Sequence, residues 1–492
     1  MANSKITDAV IRMYRMGTGD CFIIKFLAGE TAKFTMMIDC GTWSGGNDHL
    51  APYVENLKEF VDNHIDLLVI THEHKDHVHV FEACKELFVE DFTVDRVWMG
   101  WTEADKTKEV KKWQKEYGEK KKALSLAASK LNSMVNDQGF RTALQLENDG
   151  GKILTARENF SAVVSAFDEL QNNSVGGVYK GGLEGMKIVK EIIGKDKIEF
   201  YGPGDIIDDI PELKNISFYV LGPPLLIDDV KKESGGKGES YDHNKELSGT
   251  DAFAAAVLAS SPQEKQRISP FDDSYVSTGG ISNSYEAYSK QENQWRKIDC
   301  DWLFSAGSLA LRMNGLTNNL SLALAIEFND SGRVMLFPGD AEYGSWASWH
   351  SIDWTVPSRN EKLHFTEDLL RRTVFYKVAH HLSHNGTAER LGMEMMTHPD
   401  LASMATLDYE VIAPAWKNTM PNRSLIKALV QQSKGRLMIM QTDKLYYDVD
   451  DTVLLKDKIE RERKKMSKKE ATLFQESYQE EDLFLQFTVK GE

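Results

Sequence analysis

Short β-rich runs separated by turn signals open the chain: Ile11–Met13, the turn Gly17-Thr18-Gly19-Asp20, Cys21–Phe26 and Phe34–Asp39. The spacing predicts a β-meander that ends at Asp39-Cys40-Gly41. A helical stretch near Leu50–Asn63 follows. Asp66–Ile70 is then a continuous apolar run of the kind that fits a strand buried on both faces. Val78–Phe88 predicts a helix and Asp95–Met99 the next strand.

From Thr102 to about Val175 the sequence turns long, charged and helical, rich in Lys, Glu, Ala and Leu and without proline, so 102–197 reads as a helical insertion. Strand patterns return at Ile198–Tyr201 and Ile216–Leu221, closed by Gly222-Pro223-Pro224. Residues 225–300 are poor in periodicity and rich in Ser, Gly, Lys and Asp, which predicts a second, loop-rich insertion. Leu320–Phe328 and Arg333–Phe337, joined by Asn329-Asp330-Ser331-Gly332, predict a hairpin. Val374–Ala379, Tyr409–Ala413, Arg436–Met440 and Asp482–Val489 predict further strands with helices between them. The alternation is that of an α/β domain spanning residues 1–492 with two insertions.

Composition narrows this picture. Hydrophobic residues make up 41% of the 492, enough for a large core, and no apolar run reaches the roughly 18 residues a membrane span needs. With a polar stretch from Met1 to Asp8, this predicts a cytoplasmic protein with no membrane partner. The formal charge of -16 opposes broad nonspecific binding of polyanions. Lys106–Lys122 and Lys456–Lys469 are basic, but both interleave glutamates at helical spacing and read as solvated helix faces. The four cysteines, Cys21, Cys40, Cys84 and Cys300, show no C-x-x-C spacing and read as core thiols.

Chemistry concentrates in Thr71-His72-Glu73-His74-Lys75-Asp76-His77, directly after the buried strand Asp66–Ile70. Packing does not call for such crowding of imidazoles and carboxylates. Neutral imidazole nitrogens and a carboxylate oxygen suit zinc, with manganese or iron as substitutes in the same geometry. On a loop, His72 and His74 can face one metal while Asp76 and His77 face a second about 3.5 to 4 Å away. The isolated histidines His49, His64, His350, His364 and His398 carry no such pattern and receive no role.

This H-x-H-x-D-H motif after an apolar strand, preceded by G-x-G-D and I-D-C-G, resembles the metallo-β-lactamase superfamily. Asn318-Asn319-Leu320-Ser321-Leu322, Leu336-Phe337-Pro338-Gly339-Asp340-Ala341-Glu342 and Tyr376-Lys377-Val378-Ala379-His380-His381-Leu382-Ser383 follow in the order seen in the branch typified by the hydrolase domain of the competence protein ComEC. The resemblance runs over Met13–Met99, Ser217–Leu221 and Leu316–Thr442.

It implies an αββα sandwich of two mixed sheets with the metals at one edge. It also implies a hydrolase whose nucleophile is a hydroxide generated between two metals, with Asp76 orienting it and shuttling its proton. By motif position Asp340 corresponds to the carboxylate that bridges both metals and His381 closes the second site, while His380 orients substrate or supports a ligand. Ser383, His384 and Lys75 are candidate donors to a phosphoryl oxygen. The branch implies a phosphodiester substrate, a nucleic acid or a nucleotide. One ligand has no counterpart: the histidine expected between the first motif and Asp340. Gly222 stands where it would fall, and His243 is the one intervening candidate. Val78-His79-Val80 and Leu382 replace glycines usual near these motifs. The contrasting reading is an interaction module that binds a protein partner through its helical insertion and keeps a degenerate or structural metal site.

Overall fold

The computed structural model describes residues 5–104, 108, 110–119, 183–232, 315–356, 361–362, 366–412 and 419–492, apart from 44 and 449, together with residues 235, 239, 241 and 417. By its contacts the chain divides into two compact units, one of Met1–Lys111, Gly181–Glu246 and Gly315–Glu492, the other of Lys112–Lys180 and Leu247–Asn314. In the second, residues 112–119 are helical. All that follows concerns the first.

The opening meander is β1 (Asp8–Tyr14), β2 (Phe22–Ala28) and β3 (Thr31–Ile38), followed by helix α1 (Asn47–Val61) and β4 (His64–Val69). The helix expected over Val78–Phe88 is two, α2 (Lys75–Ala83) and α3 (Lys85–Glu90), because the backbone at Cys84 leaves helical geometry. Then come β5 (Thr93–Gly100), β6 (Ile198–Tyr201), β7 (Ile206–Ile207), β8 (Ile216–Val220), β9 (Leu324–Phe328) and β10 (Arg333–Phe337). A small ribbon pairs β11 (Thr355–Val356) with β12 (Glu361–Lys362). The chain closes with β13 (Thr373–Lys377), β14 (Ala402–Ala405), β15 (Leu437–Ile439), β16 (Tyr478–Glu480) and β17 (Phe484–Lys490).

Two expected strands differ. Leu320–Phe328 is a strand only from Leu324, since the backbone N–H of Leu322 turns away to donate to Thr71 O. Tyr409–Ala413 is not a strand over its described residues 409–412, which form a turn. The strand lies earlier, at β14, whose Ala-Ser-Met-Ala is buried along its whole length and so shows no alternation to read.

The strands form an eight-stranded sheet, β16-β17-β1-β2-β3-β4-β5-β6, and a seven-stranded one, β15-β14-β13-β10-β9-β8-β7. Both are mixed. β3 to β6 run parallel in the first sheet, and β10, β13, β14 and β15 in the second. The sheets pack face to face through interleaved aromatic side chains: Phe22 on Phe337, Trp98 on Phe218 and Phe375 on Phe487. Helices cover the outer faces. Leu50, Val54, Leu57, Val78 and Phe81 lie against one sheet, and Trp346, Trp349, Leu425, Leu429 and Leu455 against the other. This is the αββα sandwich expected from the sequence. Among the described residues no helix is long and apolar enough to cross a membrane, and Cys21, Cys40 and Cys84 are buried free thiols.

Candidate metal centre

Parallel strands deliver their carboxyl ends to one edge of a sheet, and the chemistry-bearing residues follow those ends. Asp39 follows β3, the His72–His77 motif follows β4, Asp340 follows β10, His380 and His381 follow β13, and Thr406 follows β14. The motif is not wholly a loop, as its spacing had suggested. His72 and His74 lie on extended chain, His74 being the residue that caps α2, whereas Asp76 and His77 stand in the first turn of that helix.

Backbone contacts hold this turn in place. Asp20 N–H donates to Asp76 O and Cys40 N–H to His77 O, at 2.9 and 2.8 Å. The approach demands glycine: a β-carbon on Gly41 would lie 2.2 Å from the Asp76 carbonyl carbon. After β13 the chain turns sharply, with His380, His381 and Leu382 all left-handed (φ 46, 49 and 67°). Such conformations cost non-glycine residues about 1 to 3 kcal/mol each. The polar contacts gathered at this turn offset that cost: His380 N–H donates to Asp340 Oδ1 (3.1 Å) and His381 Nδ1 meets Thr406 Oγ1 (2.8 Å).

The outcome is a fully buried quartet, Asp76, His77, Asp340 and His381, with one potential ligand atom from each lying within 4.8 Å of the others. Asp340 Oδ2 is 3.2 Å from His77 Nε2 and 3.1 Å from His381 Nε2, and Asp76 Oδ2 is 3.0 Å from His381 Nε2. His72 and His74 stand beside it. His72 Nε2 and His74 Nδ1 are 3.0 Å apart, and the His72 ring lies 4.0 Å from that of His77, centroid to centroid. His380 points elsewhere, with Nδ1 at 3.2 Å from Asn385 Oδ1 and 3.4 Å from Glu342 Oε1, and Nε2 at 3.3 Å from Asn318 Nδ2.

Electrostatics separate these histidines. Burial opposes a charge on His77, yet Asp340, Asp39, Asp20 and Asp76 around it hold its pKa well above the usual histidine value. The same contest, with Asp340 and Asp76 as partners, lifts His381 to about 9. Burial and the two neighbouring imidazoles hold His72 well below the ordinary value, and burial lowers His74. Burial also takes His380 to about 4. Asp340 is held well below the carboxylate range despite its burial, by His381, Lys377 and His77.

The donor set fits a metal ion. Asp20, Asp39, Asp76 and Asp340 are buried, and Lys377 pairs with Asp20 and, at 3.0 Å, with Asp340. Among the described residues His77 Nε2 is a buried nitrogen without a hydrogen-bond partner, although it faces two carboxylates. Its contact with Asp340 is an ion pair without hydrogen-bond geometry, an arrangement that a metal ion held by both residues would satisfy.

Residues the sequence reading left without a role complete the shell. Asp39 Oδ2 sits 2.7 Å from His77 Nδ1 and accepts from Thr71 Oγ1 (2.6 Å). Thr406 links His381 to Asp20, donating to Asp20 Oδ1 at 2.7 Å. Such contacts orient an imidazole and raise its basicity toward a metal. Asp20, Asp39 and Lys377 lay inside the motifs quoted above; nothing local distinguishes them from ordinary polar residues.

Gly222, where the missing histidine would fall, is tightly packed. A β-carbon at Gly222 would meet Ser321 O at 3.0 Å, so a side chain there requires that carbonyl to move. Ser321 Oγ instead lies 3.3 Å from His72 Nδ1 and accepts from Asp340 N–H. His243 lies outside the described residues, as do most of 102–197 and 225–300. Ser383 contacts His384 and Asn385, and Lys75 is buried in α2.

Residues 15–88 match the family model of the metallo-beta-lactamase superfamily. Most members of that superfamily are hydrolases, and they typically bind metal ions. The matched residues include the whole His72–His77 motif together with Asp20 and Asp39, while Asp340 and His381 lie beyond them. No curated protein matches the chain.

Proposed function

We propose that this chain is a metal-dependent phosphodiesterase, acting on a nucleic acid or nucleotide and using zinc, with manganese or iron as substitutes. The buried quartet of Asp76, His77, Asp340 and His381, with their potential ligand atoms within 4.8 Å of one another, carries the reading. The similarity of Asn318–Leu322, Leu336–Glu342 and Tyr376–Ser383 to the ComEC branch supports the substrate class. In this reading Asp76, His77, Asp340 and His381 would hold one ion, and His72 and His74 would supply ligands for a second.

When bound, such ions lower the pKa of water toward about 7 and stabilise charge on a phosphoryl group. Asp76, an anion despite its burial, is placed to orient the attacking water and accept its proton. Asp39 and Thr406 keep the His77 and His381 rings in the orientation that aims their Nε2 atoms at the carboxylates. His380, neutral at physiological pH and anchored by Asn318, Asn385 and Glu342, is assigned in this reading to orient substrate without competing for the metal.

The test is elemental analysis of the purified protein together with hydrolysis of bis-p-nitrophenyl phosphate by the wild type, Asp76→Ala and His77→Ala. Two metal equivalents, and turnover lost by about a hundredfold or more in each variant, support the phosphodiesterase. Two metal equivalents without phosphodiester turnover retain a hydrolase centre and reject the substrate class. One equivalent or none, without turnover, favours the interaction module.

A further inference from the structure

Trp43 lies on the loop that follows β3 and belongs to none of the motifs above. Its indole Nε1–H donates to Asp76 Oδ2 at 2.6 Å, and its ring stands edge-on to His381, 6.5 Å between centroids at 76°. The loop is fixed where it reaches the site. Trp43 N–H donates to Thr18 O, Thr42 Oγ1–H to Met16 O, and His79 Nε2 lies 2.9 Å from Gly45 O. Gly41, two residues before Trp43, is the residue pressed against the Asp76–His77 backbone. The same short segment therefore packs its main chain against the Asp76–His77 backbone and sends an indole to the Asp76 carboxylate.

We propose that Trp43 is a positioning residue of the metal centre, fixing the rotation of the Asp76 carboxylate by holding Oδ2 and leaving Oδ1 on the His77 side. The inference rests on the metal-centre reading above. The chemistry of the donor supports it. A lysine or arginine in this place would also satisfy Asp76, but its charge would compete with a cation for the same carboxylate. An indole supplies one strong N–H, has no acceptor and carries no charge. It thus neutralises part of the carboxylate's hydrogen-bonding demand without repelling the ion. Trp43 is half-buried, so its ring also screens that side of the carboxylate from water.

Zinc affinity by chelator competition, measured on the full-length wild type, Trp43→Phe and Trp43→Ala, tests this. Phe keeps the aromatic packing and lacks the donor. The expected result is a loss of about 10- to 100-fold in affinity for one zinc in both variants, with the thermal midpoint of the metal-free Phe variant unchanged. Wild-type affinity in Trp43→Phe overturns the positioning role and leaves the metal centre standing. Absence of zinc binding in the wild type overturns both. A second readout needs no substituted protein to bind metal: the indole 1H–15N signal missing from Trp43→Phe must shift when zinc is added to the wild type. A signal that stays in place rejects the contact.

Discussion

The six residues from His72 to His77 divide into two halves governed by different physics. His72 and His74 face each other across 3.0 Å, and burial holds both below the usual imidazole pKa, as neutral donors. Asp76 and His77, two residues further on, join Asp340 and His381 among buried carboxylates, where both imidazoles favour positive charge. What distinguishes the halves is which carboxylates the tertiary structure places beside each imidazole. A histidine among anions is a place for a cation; a histidine beside another histidine is a ligand only once a cation is supplied.

The largest expected effect comes from Lys377, the lysine paired with Asp20 and Asp340 on the carboxylate side. Lys377→Met leaves Asp20 and Asp340 without their lysine partner, and breaking a buried pair in this way costs about 3 to 5 kcal/mol, read by urea denaturation of the metal-free protein. A loss under about 1 kcal/mol would mean that the carboxylates are already neutralised, erasing the contrast between the halves. Asp39→Ala removes the partner of His77 Nδ1 and lowers affinity for one zinc about 10- to 100-fold, by chelator competition.

A pH series sharpens the same contrast. His381 has a folded-state pKa of about 9, above the value near 6.5 for an exposed imidazole. Its contribution to stability is therefore complete below about pH 6.5 and lost as the pH rises through about 9. The metal-free protein is expected to weaken over that window, while zinc, taking the place of the protons, flattens the curve. Parallel curves with and without zinc would remove the quartet as its site. The smallest effect is expected at the other half: His74→Ala changes metal-free stability by about 1 kcal/mol or less and retains one zinc equivalent. Loss of both equivalents would show that the two halves act as one site.

Most of the sandwich was legible because its strands are bounded by turn residues and its helices keep an apolar stripe, as α1 does at Leu50, Val54, Leu57 and Val61. β14 was not: a parallel interior strand of small residues has neither alternation nor length. The His72–His77 motif was legible from its spacing, because several ligand types in one short segment have no packing explanation. Its conformation was read as a loop throughout because helix initiation at Lys75 depends on contacts from Asp20 and Cys40, both distant in sequence.

The sequence alone determined the alternation of strands and helices, the position of the histidine motif after a buried strand, and the candidates Asp340 and His380-His381 at later strand ends. Local periodicity and spacing encode these. The resemblance favoured His381 over His380 as the ligand, and only the tertiary structure gives the physical means, three consecutive left-handed residues and Thr406 beyond them. It likewise decided that Asp20, Asp39 and Lys377 are shell rather than surface, and that Trp43 reaches Asp76. The physical reason is common to all of these. A charged or polar side chain takes its meaning from the partners that replace its water, and here those partners lie up to 386 residues apart, as Asp20 and Thr406 do.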